Sequence, residues 1–216
     1  MDKKYAIFDM DGTLVDSMGY WARLSREYLG SKGVQTIPKE ILERIAPMTM
    51  GESAALFVRE FGLPGTAAEA EAEMNAMMEG HYRRDVPLKP GVRAYLERLR
   101  EQGVRMCVAS STAEPLMEIC LTRLGVRDCF EFLLSCDSVG AGKDRPDVYH
   151  AAAERLGGSP AETAVFEDAP FAAKTAKAAG YYVVAVRDGG DGTRWEKVKA
   201  AADEFISDWE TATSFS

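Results

Sequence analysis

The hydrophobic and polar positions of the chain follow two different periodicities. Between Ser17 and about Tyr82, apolar residues recur every three or four positions, which is typical of amphipathic helices. Before this region, and again after Pro87, short apolar runs end in polar residues, and helical stretches separate them. The pattern therefore predicts an α/β domain that is interrupted by a helical insertion.

The alternating part predicts a doubly wound parallel sheet of Rossmann-like type, because strands alternating with helices pair in parallel through right-handed crossovers. The predicted strands are residues 5–8, 104–109, 130–134, 164–166, 181–186 and 205–206. Helices are predicted from Pro90 to a stop at Gly103, and then over 111–124, 145–156, 169–179 and 194–201. Ser111 and Glu114 have the spacing of a capping box, so we expect Ser111 to begin its helix.

The insertion predicts a second domain. Four helices precede the second strand, whereas a simple crossover needs only one. Residues 17–84 are therefore predicted to form a small helical-bundle cap domain, and residues 1–16 and 85–216 the α/β core. The turn Met48-Thr49-Met50 lies between two of these helices, where its methionines either fill space or face a substrate.

Composition and charge argue against some classes of function. The 216 residues are 46% hydrophobic, and the formal charge of −8 argues against nucleic-acid binding, which needs clustered Lys and Arg. No apolar run approaches the length of a membrane span or a signal segment, so we expect a soluble, cytoplasmic protein without a membrane partner. We also expect a monomer, although no feature of the sequence specifies the oligomeric state. The four cysteines lack CxxC spacing and are expected to be reduced packing residues.

Two carboxylates follow the first predicted strand, in Asp9-Met10-Asp11-Gly12-Thr13. Ligands of open α/β sheets bind beyond the carboxyl ends of the strands, so Asp9 and Asp11 are candidates for chemistry. Alone, two acids at this spacing are equally typical of a solvated turn. A calcium loop is excluded, because Leu14 and Tyr20 occupy the positions that require Gly and Glu.

Polar residues also follow the next three strands. Ser110 lies between a strand and a helix, where its hydroxyl either binds phosphate or only marks the helix start. Lys143 lies in a polar loop, where a lysine is either solvated or neutralises an anion. Glu167 and Asp168 end the fourth strand, and buried carboxylates are costly without a cation.

In this order, the four segments resemble the four signatures of the haloacid dehalogenase-like superfamily, whose first motif reads Asp-x-Asp-x-Thr. The placement of the helices is similar to its helical-cap branch, which includes sugar phosphatases and β-phosphoglucomutase. Ala169 and Ala172 stand where relatives usually have Ser and Gly, which puts some contacts of the phosphate loop in doubt.

The resemblance implies a role for each residue. Asp9 would be the nucleophile that forms an aspartyl-phosphate, and Asp11 the general acid and then the base. Lys143, Ser110 and Ser111 would contact the phosphoryl group, and Thr13 would fix the phosphate-binding loop. Mg²⁺ would be bound by Asp9, the backbone carbonyl of Asp11, Asp168 and, directly or through water, Glu167. The proximity of Asp9 and Asp11 should also raise one carboxyl pKa.

The implied activity is Mg²⁺-dependent hydrolysis of a small phosphorylated metabolite, with a sugar phosphate as the expected substrate. The alternative is phosphoryl transfer of the β-phosphoglucomutase type. Trp21 and Gly51 stand where that enzyme has His and Arg, which favours hydrolysis. A non-catalytic phosphosugar sensor is the alternative of another class, although binding alone would not require Asp11.

Overall fold

The computed structural model describes residues 3–45, 48–189 and 192–213. These residues contain a parallel six-stranded sheet in the order β3-β2-β1-β4-β5-β6. The strands are β1 (Tyr5–Phe8), β2 (Arg105–Ser110), β3 (Leu133–Ser135), β4 (Thr163–Glu167), β5 (Tyr182–Val186) and β6 (Glu204–Ile206). The helices are α1 (Met18–Ser31), α2 (Lys39–Ile45), α3 (Met50–Phe61), α4 (Ala67–Arg84), α5 (Val92–Glu101), α6 (Glu114–Arg123), α7 (Cys136–Val139), α8 (Asp147–Leu156), α9 (Pro170–Ala178) and α10 (Gly192–Lys199). The predicted α/β, Rossmann-like fold is confirmed.

The central strands are covered on both faces, which explains their continuous apolar runs. Phe8 of β1 belongs to a large hydrophobic cluster on one face, where its ring stacks on Phe166 with centroids 4.2 Å apart. Ile7 and Val165 belong to a second cluster on the other face, beneath α8 and α9. β1 and β4 pair in parallel, with Phe8 opposite Phe166, so their carboxyl ends lie side by side at the same edge of the sheet.

The site is positioned by the change of direction in the strand order. From β1 the chain builds the sheet through β2 and β3 on one side and through β4 to β6 on the other. Helices on opposite faces leave a crevice between β1 and β4 at such a switch point. Asp9 directly follows β1, while Glu167 and Asp168 end and follow β4.

Helices α1 to α4 all lie between β1 and β2 in the sequence, as the periodicity predicts. α3 and α4 begin with capping boxes, Thr49 with Glu52 and Thr66 with Glu69. The segments that connect the sheet to α1, and α4 back to the sheet, lie side by side. Asp16 N of the first segment donates to Pro87 O of the second over 3.0 Å. The division at residues 16/17 and 84/85 stays a prediction, and residues 1–2 and 214–216 of the core lie outside the described part of the chain.

Two local predictions are wrong. Ser111 does not cap α6, which begins at Glu114 with Ala113 at the N-cap and Pro115 at its second position. One oxygen of the Glu114 carboxylate, Oε1, instead accepts hydrogen bonds from Ser135 N (3.2 Å) and Ser138 Oγ (2.9 Å). The strand predicted over 130–134 is Leu133–Ser135, because the chain makes a turn of 3₁₀ helix at Arg127–Cys129 first.

The structure also bears on the expectations about the cysteines and about membrane-spanning helices. Cys107, Cys120 and Cys136 are buried and Cys129 is half-buried, and all four pack in or against the hydrophobic clusters as expected, while their reduced state stays a prediction. Across the described ranges, none of the helices is long and apolar enough to cross a membrane.

Candidate active site

The loop after β1 is shaped by Gly12. Asp9 continues the strand, since its N–H donates to Phe166 O of β4 over 3.0 Å. Gly12 then has a φ of +85°, which favours glycine, and a Cβ at this position would lie 2.6 Å from Asp168 Oδ2. A glycine is therefore required for the loop to approach the carboxylate of Asp168.

Three carboxylates meet at this edge of the sheet. Asp9, Glu167 and Asp168 each offer one oxygen, and these three oxygens lie within 4.8 Å of one another. The residues are only 7%, 1% and 3% exposed. Sequence reasoning grouped these acids, and the structure brings them together.

Two cations and one phenol contact the cluster. Lys143 is 4% exposed, and its Nζ lies 2.5 Å from Asp9 Oδ1 and 2.6 Å from Glu167 Oε1. Tyr149 OH donates to the same Glu167 oxygen over 2.8 Å. Arg194 of α10 donates from Nη2 to Asp168 Oδ2 over 2.6 Å. Lys143 is therefore a buried ion-pair partner of two acids, not a solvated loop residue.

Burial and mutual repulsion change the acidity of the cluster. Burial raises the pKa of Asp9 above its ordinary value, and the charge of Asp11 adds to this rise while Lys143 opposes it. Burial also raises the pKa of Glu167 to about 8 and that of Asp168 to about 7. Burial alone would lower the pKa of Lys143, but the charges of Asp9 and Glu167 raise it above its ordinary value. Burial is thus the main cause of the raised carboxyl pKa values, and repulsion between neighbouring carboxylates adds to it.

The donor set fits a divalent cation. Glu167 Oε2 is buried and has no hydrogen-bond partner among the described residues, so one oxygen of the cluster is left to accept a ligand. Carboxylate oxygens are the ligands that Mg²⁺ prefers. A cation here would also relieve the repulsion that raises the carboxyl pKa values.

The side chain of Asp11 is held apart from this cluster. Its Oδ1 accepts hydrogen bonds from Ser17 Oγ (2.6 Å), Tyr82 OH (2.6 Å) and Trp21 Nε1 (3.1 Å). Its Oδ2 accepts from Thr112 Oγ1 over 2.6 Å. Trp21 and Tyr82 lie on α1 and α4, so two inserted helices contact this carboxylate directly.

The remaining predicted residues differ in their placement. Ser110 is buried, and its Oγ accepts a hydrogen bond from Thr112 N over 3.1 Å. Ser111 is exposed on the cavity wall, and its Oγ lies 3.7 Å from Cys136 Sγ. Thr13 is buried, its Oγ1 has no hydrogen-bond partner in the described part of the chain, and its carbonyl accepts from Trp209 Nε1. The functional roles of all three stay predictions.

A cavity of about 800 Å³ opens above the carboxylates and extends between the sheet and the inserted helices. Asp9, Asp11 and Lys143 lie at its sheet end, with Ser110 and Ser111 beside them. The cavity therefore joins the acidic cluster to a larger space bounded by α1 to α4.

Besides Ser17 and Trp21, which contact Asp11, four residues that contact the site carboxylates were not identified from the sequence. Tyr82, Thr112, Tyr149 and Arg194 each place a polar group on a site carboxylate. They lie outside the compact motif of β1, and their spacing along the chain is irregular. Of these four, Thr112 alone had a local signal, because it directly follows Ser110 and Ser111 after a strand.

Comparison with known proteins agrees with this arrangement. The family model described as haloacid dehalogenase-like hydrolase matches residues 3–180. The chain is 31% identical over 181 residues to the bifunctional riboflavin kinase/FMN phosphatase of Arabidopsis thaliana, covering 83% of this chain but only 47% of that relative. It is 32% identical over 192 residues to the fructose-1-phosphate phosphatase YqaB of Escherichia coli, covering 87% of this chain and 99% of that protein.

A solved structure shows the same fold. CbbY from Rhodobacter sphaeroides, in complex with xylulose-(1,5)bisphosphate, superposes with a TM-score of 0.83 at 24% identity, covering 96% of this chain and 95% of the other. The fold, the arrangement of acids and the match over residues 3–180 lead to one conclusion. The chain belongs to the haloacid dehalogenase-like hydrolases.

Proposed function

We propose that this phosphomonoester hydrolase removes phosphate from a small phosphorylated metabolite with the help of Mg²⁺. The observation that carries the proposal is the buried cluster of Asp9, Glu167 and Asp168, held by Lys143 at the end of the cavity. Relatives named as phosphatases of FMN and of fructose-1-phosphate support the reaction class. A sugar phosphate as substrate, a monomeric state and a cytoplasmic location stay predictions.

The side chains of the site divide the reaction into two steps. An oxygen of Asp9 attacks phosphorus, the ester P–O bond breaks, and Asp11 gives a proton to the leaving alcohol. Water then attacks the phosphorus of the aspartyl-phosphate, and Asp11 takes up its proton as phosphate leaves. Lys143 keeps Asp9 oriented through its 2.5 Å ion pair. Mg²⁺ bound by Asp9, Asp168, the carbonyl of Asp11 and Glu167 would offset the charge of the phosphoryl oxygens.

Trp21 favours hydrolysis over mutase chemistry. Its indole N–H donates to Asp11 Oδ1 over 3.1 Å, and an indole can donate but cannot take up a proton. The alternative has its own assay, in which β-glucose 1-phosphate primed with glucose 1,6-bisphosphate would yield glucose 6-phosphate. We expect inorganic phosphate as the product, with no net isomerisation.

The decisive experiment compares phosphate release with and without Mg²⁺ across sugar phosphates, phosphoglycolate, nucleoside monophosphates and p-nitrophenyl phosphate. Asp9→Asn should lower kcat at least about a thousandfold, because it removes the nucleophile. Asp16→Asn is the matched control, since Asp16 is an exposed acid in the same segment. Retained turnover in Asp9→Asn, or no Mg²⁺-dependent turnover with any ester, would contradict the proposal and favour a sensor.

A further inference from the structure

The cavity is much larger than a phosphate group requires. Its volume of about 800 Å³ extends from Asp9 and Lys143 to the inserted helices, and pockets of this size accommodate whole cofactor-sized ligands. The leaving alcohol must therefore occupy the part of the cavity enclosed by α1 to α4. The side chains of α1 to α4 that line this part of the cavity therefore determine which alcohols bind well.

The wall on the inserted helices is mainly apolar. Six of its side chains share this character, namely Trp21, Leu42, Ile45, Met48, Met50 and Met74. Met74 is only 2% exposed, whereas Met48 and Met50 are half-buried on either side of the N-cap of α3. A polyol hydroxyl placed against the alkyl and thioether groups would find no strong hydrogen-bond partner on them. Thioethers and an indole instead make favourable contacts with ring faces.

Polar groups lie in the same wall. Six polar side chains of the inserted helices line the cavity, namely Arg23, Ser25 and Arg26 of α1, Ser53 of α3, and Glu71 and Asn75 of α4. Gly51 leaves room for one of them, since a Cβ there would lie 3.0 Å from Glu71 Oε2. A mainly apolar wall that also carries hydrogen-bonding groups suits a ligand that has apolar faces and a polar edge.

We infer that the leaving alcohol of the preferred substrate carries a heteroaromatic ring of nucleobase or flavin size, in addition to the carbon atoms next to the phosphate. The inference rests on the proposed phosphatase function and specifies its substrate class. It differs from the expectation of a simple sugar phosphate, because apolar side chains form the larger part of the wall described above.

Matched pairs of esters test the inference. Adenosine 5′-monophosphate and ribose 5-phosphate share a phosphorylated primary alcohol, and so do FMN and ribitol 5-phosphate, so each pair differs by a ring. In Mg²⁺, at least one ring-bearing ester should have a kcat/KM about tenfold or more above its partner, mainly through a lower KM, because its ring buries apolar surface. The pair that shows the larger ratio distinguishes a nucleobase from a flavin.

A variant locates the effect in the wall. Met50→Gln should reduce the ratio of kcat/KM values within the preferred pair at least about threefold, because an amide must then be desolvated against the ring. Met77→Gln is the control, since Met77 is a half-buried methionine of α4 that does not line the cavity. If Met50→Gln does not fold, Met74→Leu, which keeps the wall apolar but removes the sulfur, should lower the same ratio to a smaller extent.

The outcomes separate the two proposals. Equal or better turnover of both polyol esters, or turnover of p-nitrophenyl phosphate but of none of the four esters, overturns the ring preference and leaves the phosphatase proposal standing. An unchanged ratio in Met50→Gln also overturns the assignment to this wall. Absence of Mg²⁺-dependent turnover with every ester, including p-nitrophenyl phosphate, contradicts the phosphatase proposal itself.

Discussion

A single glycine allows the loop after β1 to pass beside the carboxylate of Asp168. Gly12→Ala should destabilise the protein and impair the site, because the new Cβ would lie 2.6 Å from Asp168 Oδ2 in a backbone with φ of +85°. Gly33→Ala is the matched control, since Gly33 has the same φ and a Cβ there would meet no described atom within 4 Å. Thermal unfolding and kcat/KM should both fall further for Gly12→Ala.

Comparing the two variants separates the effect of the contact with Asp168 from the free-energy cost of placing alanine in a left-handed backbone. Both variants force a non-glycine residue into the left-handed region, which costs on the order of 1 kcal/mol. Only the variant at Gly12 also displaces a carboxylate of the acidic cluster. Equal losses of stability and activity in the two variants would show that the contact with Asp168 is unimportant.

Individual residues also show why part of the site could be predicted. Asp9 and Asp11 follow an apolar strand within a compact motif, and Glu167 and Asp168 are acids where burial disfavours acids. Tyr149 and Arg194 give no such signal, because a tyrosine or arginine on a helix usually has a packing or surface role. Their contacts with Glu167 and Asp168 depend on how α8 and α10 pack, which short-range patterns do not specify.

At the scale of helices and strands, α1 and α4 contact the reaction centre as well as enclosing it. Tyr82→Phe removes the hydroxyl that donates to Asp11 Oδ1 over 2.6 Å. We expect kcat/KM for an alkyl phosphate to fall about tenfold, because Asp11 is then less well positioned to protonate the leaving oxygen. The loss should be much smaller for p-nitrophenyl phosphate, whose leaving group needs no proton.

Tyr28→Phe is the control for that experiment. Tyr28 lies on α1, and its buried ring stacks against Phe57 of α3 rather than contacting Asp11. Loss of the Tyr28 hydroxyl should leave kcat/KM unchanged for both substrates. A Tyr82→Phe variant that lost equal activity on both esters would indicate a general packing defect in place of a positioning role.

Helix and strand identity was easier to predict than element boundaries. The buried strands and the amphipathic helices were recognisable because each apolar period reflects the face that an element buries. The predicted start of α6 was wrong: α6 begins at Glu114, whose carboxylate hydrogen-bonds to Ser135 and Ser138, more than twenty positions away, and local spacing does not reveal such a contact. The short helix α7 was missed, since its four residues are too few to show a period.

At the scale of the whole molecule, the acidic cluster links stability to pH and to Mg²⁺. The folded protein raises the pKa of Glu167 to about 8 and that of Asp168 to about 7, mainly through burial, whereas unfolded carboxyls titrate at about 4. Between these values the folded state binds more protons than the unfolded state. The free energy of unfolding of the metal-free protein should therefore decrease as pH rises from about 5 to about 8.

Mg²⁺ should reverse much of this loss, since it binds the ionised carboxylates of the folded state and not the dispersed groups of the unfolded chain. Thermal unfolding in a chelator and in Mg²⁺ at pH 5 and pH 8 tests this, and the increase in Tm on adding Mg²⁺ should be larger at pH 8. Asp168→Asn removes one titrating ligand, so it should weaken both the pH dependence and the Mg²⁺ effect. If metal-free protein were instead most stable at pH 8, or if Mg²⁺ raised Tm equally at both values, ionising the three carboxylates would carry no cost that a cation relieves, and the predicted link between the cluster, pH and Mg²⁺ would be wrong.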